Sequence, residues 1–221
     1  METDSERLFE QICEKCGIAY ERIEAGEDKT PDYLLSLSGV SVIAEIKEIE
    51  RNEAELESDR LLEERGYGAC LSIEPGDRVR LKIRKASPQI KRRTEGKRPG
   101  ILVLFDRGRA CGHLDPYNIR VAMCGLEQVH ISVPKDMNEK PYSTGMSHGP
   151  KRKMTENANT SISAIAVMYA VNRDNVKIDL YHNKHAAVPL DPNTVAGYGI
   201  DQYFLDDGPD VATSEWRKYE P

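Results

Sequence analysis

The sequence predicts an α/β fold built on a mixed central sheet, and three observations carry that prediction. An amphipathic helical stretch near the N-terminus precedes two apolar-rich runs hinged on Ser38-Gly39. A second helical period, crowded with Lys and Arg, spans residues 77–93. Directly after it comes Ile101-Leu-Val-Leu-Phe105, a continuous apolar run of the kind found in strands buried on both faces. The resulting element order is α-β-β-β-α-β, followed by a β-rich C-terminal elaboration.

Each element has a local reason. From Ser5 to Cys16, Leu8, Phe9, Ile12, Cys13 and Cys16 recur at helical spacing, with Asp4 or Ser5 as N-cap and Gly17 as terminator. Ile18 to Glu24 alternates as a strand does, and 25–29 is a polar loop. Tyr33–Leu37 and Val40–Ile46 then flank Ser38-Gly39, a two-residue hairpin turn. If those two residues are the loop, Leu37 pairs with Val40, partner numbers sum to 77, and Asp32 faces Glu45. Alternation places Asp32, Leu34, Ser36, Ser41, Ile43, Glu45 and Lys47 on one face. The opposite face, from Tyr33 to Ile46, is wholly apolar and should pack on a core.

Residues 48–64 hold eight acids and two arginines, with a thin stripe of Leu56, Leu61 and Leu62, which reads as an exposed helix or a mobile segment. Val79, Ile83, Ala86 and Ile90 give the basic helix its apolar stripe, and Pro88 should start or kink it. Residues 1–110 therefore read as a core and 111–221 as an extension packed on the same domain. Within the extension, Asp115-Pro116 opens a short helix, Val129 to Val133 is a strand, and 134–159 reads as a long flexible loop. Ser161–Val171 and Val176–Tyr181 form a hairpin pattern, and Trp216 should dock the acidic tail.

Composition narrows the function classes. The 221 residues suffice for one sizeable domain, and 31% charged against 6% aromatic residues describes a polar, soluble chain. No apolar run approaches the roughly 20 residues of a membrane span, and the acidic start is unlike a targeting segment. A cytoplasmic protein without membrane partners is expected. Five scattered cysteines argue for reduced thiols. Cys13 and Cys16 form a C-x-x-C that Cys111 and His113 could complete as a zinc site, although both fall on the apolar stripe of the first helix. His182 and His185 read as satisfied or exposed side chains.

The net charge of −6 conceals a strong local bias. Arg78 to Arg98 contains ten Lys or Arg and one acid, Glu95, or +9, leaving −15 elsewhere. A basic patch on an acidic protein fits phosphate contact. The hairpin supplies the complementary chemistry. Directly opposed residues have Cβ atoms roughly 4.5–5.5 Å apart, where like charges are destabilising. A divalent cation would compensate Asp32 and Glu45, and magnesium suits one or two carboxylates plus water and phosphate. Lys47 lies on the same face beside them.

At these residues the chain resembles the PD-(D/E)XK nuclease superfamily, which has the restriction-endonuclease-like fold. Pro31-Asp32 matches the first half of its motif and Glu45-Ile46-Lys47 the second, and the likeness covers roughly residues 5–106. The resemblance implies Asp32 and Glu45 as metal ligands, with Mg²⁺ or its substitute Mn²⁺. It implies Lys47 as the residue that positions or activates the attacking water. A first-helix glutamate that reaches the metal in many members would be Glu6, with Glu10 second. The stretch Lys85 to Lys91 resembles the second core helix, which puts Lys85 and Gln89 near the site. Lys91, Arg92 and Arg93 would extend the contact along the nucleic-acid backbone. The expected activity is metal-dependent hydrolysis of phosphodiester bonds in DNA, with a homodimer as a further option. The alternative is a catalytically inert nucleic-acid-binding or assembly module that keeps the fold.

Overall fold

The computed structural model describes residues 3–24, 30–68, 74–106, 112–136, 138–172, 175–206 and 214–221. The predicted loop at 25–29, the turn at 173–174, Cys70 and Cys111, and residues 207–213 of the acidic tail lie outside them. Thr3, rather than Asp4 or Ser5, caps the first helix, α1 (Asp4–Cys16). Its hydroxyl accepts the Glu6 N–H, while Glu6 accepts the Thr3 N–H at 2.7 Å, a reciprocal capping box. Gly17, at φ 71°, closes the other end.

Strand β1 (Ala19–Arg22) pairs antiparallel with β2 (Tyr33–Leu37), which pairs antiparallel with β3 (Val40–Ile49). Between β2 and β3, Ser38 has φ 47° and Gly39 φ 82°. Positive φ at both central residues defines the tight turn whose twist matches a hairpin. The register is Tyr33 with Ala44 through Leu37 with Val40, so partner numbers sum to 77. One further step sets Asp32 against Glu45.

An acidic helix, α2 (Glu53–Arg65), then leads to the basic helix, α3 (Asp77–Thr94). The latter continues through Pro88 as one helix, which corrects the expectation of a start there. Pro88 is solvent-exposed, on the side where water can satisfy the carbonyl that loses its partner. After α3, β4 (Gly100–Asp106) lies parallel to β3, with Glu45 beside Leu102. The order α-β-β-β-α-β is present with α2 added.

The C-terminal half continues the same sheet. A fourth helix, α4 (Pro116–Cys124), precedes a two-stranded antiparallel ribbon, β5 (Glu127–Ser132) with β6 (Tyr142–His148). Strand β6 corrects the expectation of a flexible loop over 134–159. Further along that segment Met154 is buried, and its N–H donates to the Met123 carbonyl at 3.0 Å. Strands β7 (Ala164–Asn172), β8 (Asn175–His182), β9 (Asp201–Leu205) and β10 (Trp216–Lys218) complete the sheet. Among the described residues the strand order is β1-β2-β3-β4-β7-β8-β9-β10, with parallel and antiparallel pairs mixed. Trp216 docks the tail, donating its indole N–H to the Pro116 carbonyl at 2.9 Å. Among the described residues, no helix is long and apolar enough to cross a membrane.

Two apolar layers cover the sheet. Phe9, Ile12 and Cys13 of α1 pack on Leu35, Val42, Ala44, Ile46 and Val103. Val79, Ile83, Ala86 and Ile90 of α3 pack on Leu102, Leu104 and Ile165. Because β3 alternates, its Ile43, Glu45 and Lys47 project toward the α3 side. The central strands are thus buried on both faces, which is why their sequences are nearly continuous in apolar residues.

Gly100 sets how closely α3 approaches β4. A Cβ there would meet Ile90 Cγ2 at 2.3 Å and the Ser161 carbonyl oxygen at 2.6 Å. Main-chain atoms cannot swing aside as a flexible side chain can. Gly100→Ala is expected to cost roughly 2–3 kcal/mol through overpacking. Urea unfolding checks this, and an unchanged midpoint would contradict the packing described.

Candidate active site

Glu45 is the centre of the site. It has no solvent exposure, and neither carboxylate oxygen has a hydrogen-bond donor in good geometry. Its contact is an ion pair from the Lys47 ammonium to Oε1. Burial, and then the Asp32 charge, push its pKa up from 4.5 to about 7. A carboxylate seated where its charged form is disfavoured is costly unless compensated.

Asp32 is held from the other side of the hairpin. Its Oδ2 accepts the Ile46 N–H at 2.6 Å, which aims the carboxylate at Glu45. Burial raises its pKa, against the opposing pull of that hydrogen bond and of Lys47. Asp32, Glu45 and Lys47 therefore stand together as the hairpin register requires.

Glu6 adds charge without direct contact. Its side chain is engaged in the α1 capping box, yet its charge contributes to the rise at Asp32. Glu10 serves a different purpose. It accepts from Arg22 Nε at 2.5 Å and from the Tyr33 hydroxyl at 2.9 Å, pinning α1 to β1 and β2. Of the two helix glutamates, Glu6 is the one whose charge is felt at Asp32.

Helix α3 lines the opposite wall. Gln89 Nε2 donates to the Thr30 carbonyl at 3.3 Å, tying the helix to the segment that carries Asp32. Lys85, Lys91, Arg92 and Arg93 are exposed on α3, the last three in its final turn. Sequence reasoning passed over Lys82, which is 8% exposed. Burial lowers its pKa, Glu50 opposes that fall, and Lys85, Lys47 and Arg78 add to it. The signal was present in the spacing: Arg78, Lys82, Lys85 and Gln89 follow one another at helical intervals along one strip. Lys82 thus lies within reach of the Lys47 charge, and Lys47 in turn pairs with Glu45.

A second polar cluster also escaped the sequence reading. Glu55 of α2 is buried, accepts both its oxygens' bonds from Arg78 Nη2 at 2.8 and 2.9 Å, and meets His113 Nε2 at 3.0 Å. Arg78 Nη1 donates to the Glu50 carbonyl at 3.3 Å, so α2 is anchored to the end of β3 and to α3. The helix expected to be largely solvated has one buried polar seam.

The other motif candidates resolve as structure. Cys13 is buried in the core, and burial pushes its thiol up to about 12. Cys111 lies outside the described residues. His182 is buried, bonds to Gln202 Oε1 at 2.9 Å and stacks on Phe204. Among the described residues, no group of three or more His, Cys, Asp or Glu converges as a metal site would require of side chains alone.

The acid pair nevertheless fits a hard divalent cation. Neither Glu45 oxygen has a well-formed hydrogen bond, burial and the Asp32 charge raise its pKa, and magnesium takes one or two carboxylates with the remainder from water, carbonyl or phosphate oxygen. No family model, no curated protein and no solved structure matches this chain.

Proposed function

We propose that the chain is a magnesium-dependent nuclease of the restriction-endonuclease-like, PD-(D/E)XK type, acting on DNA. The observation that carries the reading is a fully buried Glu45 without well-formed hydrogen bonds, set against Asp32 and Lys47, next to a helix that carries buried and exposed cations. The first needs a cation and the second a polyanion, and a metal-bound phosphodiester satisfies both. Asp32 and Glu45 would hold the ion, and Lys82 and Lys85 would neutralise the phosphate. When bound, the metal would stabilise charge on the phosphate and lower the pKa of a coordinated water. Lys47 pairs with Glu45 as the protein stands, and its partly exposed ammonium would orient the attacking water or offset developing charge. Gln89 would fix the approach of α3 to the Asp32 segment. Lys91, Arg92 and Arg93 would contact the backbone, giving affinity with little sequence preference.

The direct test is conversion of supercoiled plasmid to nicked or linear forms in magnesium and its loss on chelation. DNA binding without cleavage would favour the inert module. The basic strip makes a separate prediction. Replacing Lys85, Lys91, Arg92 and Arg93 together by alanine should flatten the dependence of log K on log salt by about 3–4, at roughly 0.9 per lost phosphate contact. An unchanged slope would remove α3 from the interface.

A further inference from the structure

We propose that the C-terminal half carries a second site, for a small aromatic phosphate ester of the nucleoside monophosphate class. Two adjoining cavities form it, sharing Cys124, Met154, Lys184 and His185 as a common wall. The first, of about 140 Å³, is lined chiefly by apolar groups, among them Met123, Leu190, Phe204 and Trp216. The second, of about 280 Å³, is polar and bounded by His148, Arg152, Thr155 and Asn157. The two cavities place an apolar slot beside a cationic chamber.

The chamber's chemistry favours an anion. Arg152 and Lys184 bring two positive charges and His148 and His185 two imidazoles, against one acid, Glu156. Arg152 is fixed at the wall by donating to the carbonyls of His148 and Gly149. Both ring nitrogens of His148 are buried without a well-formed hydrogen bond. Burial and the neighbouring Arg152 and Arg120 charges hold this imidazole below its usual pKa, while Glu127 and a main-chain group of Gly125 pull it back. A neutral ring offers one donor and one acceptor, and leaving them unpaired costs roughly 1–3 kcal/mol. A turn of the ring toward the chamber would bring it to a phosphate oxygen or a sugar hydroxyl.

The apolar slot accounts for the rest of the ligand. Phe204, Trp216, Leu190 and the methionines give the slot an apolar wall against which a heterocyclic base would pack, and stacking on an aromatic ring is worth roughly 1–3 kcal/mol per base. The polar chamber alone falls just below the roughly 300–1,000 Å³ of small-molecule sites, and the slot extends it. The ligand is either a free mononucleotide or the phosphorylated end of a DNA strand, which present the same groups.

Trp216 is the chain's only tryptophan and lines the slot, so its fluorescence reports on this site directly. Wild-type protein is titrated with deoxyadenosine monophosphate, a 5′-phosphorylated oligonucleotide, deoxyadenosine and inorganic phosphate. Saturable quenching by either phosphorylated ligand is expected, with deoxyadenosine and phosphate at least tenfold weaker. The tighter of the first two identifies the source. Arg152→Ala with Lys184→Ala, both exposed and checked for folding by circular dichroism, should weaken binding at least tenfold. Asp32→Ala should leave it unchanged, which separates this site from the nuclease reading. Absence of saturation with both phosphorylated ligands, equal affinity for inorganic phosphate, or undiminished binding by the double variant would overturn the proposal.

Discussion

Glu45→Ala is expected to lower magnesium-dependent cleavage at least about a thousandfold while leaving DNA affinity close to wild type. The size follows from the role. A metal supplies several kcal/mol of charge stabilisation, and about 4 kcal/mol corresponds to a factor near 10³. Asp32→Ala should fall in the same range, because both carboxylates serve one ion and their losses would not add. Lys47→Ala should reduce the rate of the chemical step with little change in metal affinity. Single-turnover cleavage of a plasmid, with binding measured separately, checks all three. Undiminished cleavage by Asp32→Ala and Lys47→Ala would remove the proposed mechanism. Cleavage and binding falling together would instead indicate a damaged fold.

The second large effect is on stability. Glu45 titrates near 4.5 when unfolded and at about 7 when folded. The unfolded chain thus releases its proton first as pH rises, so stability is fully present below 4.5 and is lost as pH climbs through about 7. At 1.36 kcal/mol per unit, the metal-free protein should lose on the order of 3 kcal/mol over that window. Asp32, raised in the same direction, adds to the loss. Glu45→Gln should flatten the profile and be the more stable form above neutrality. Excess magnesium should recover the wild-type loss, since an ion bound to the native carboxylates stabilises only the folded state. Urea unfolding across this range, read as the difference between wild type and Glu45→Gln, isolates the group. A metal-free difference that is flat or of opposite sign would show that the pair is not strained.

The part of the site most legible in the sequence was the hairpin. A Ser-Gly pair between apolar runs admits a turn with positive φ at both positions, and side-chain alternation then leaves little freedom in the register. Asp32, Glu45 and Lys47 follow from that arithmetic. The α3 strip was only partly legible. Lys82 lies at the edge of the apolar stripe, where a buried lysine and a solvated one have the same spacing. Glu55 was hidden because its partners, Arg78 on another helix and His113, lie far along the chain. Strand β6 was missed because its Tyr-Ser-Thr-Gly-Met-Ser-His run lacks alternating apolar residues. A ribbon such as this, largely exposed on both faces, leaves no such pattern to read. Thr3 was passed over as cap because Asp4 and Ser5 are equally good cap residues, and the reciprocal bond with Glu6 decides between them.

Titration of Mn²⁺ into the metal-free protein, followed by calorimetry, tests the central claim most directly. Wild-type protein should bind an ion that magnesium displaces, and Asp32→Asn with Glu45→Gln should abolish the binding while the protein stays folded. Wild-type protein that binds no divalent ion, or a double variant that binds as tightly as wild type, would contradict the account.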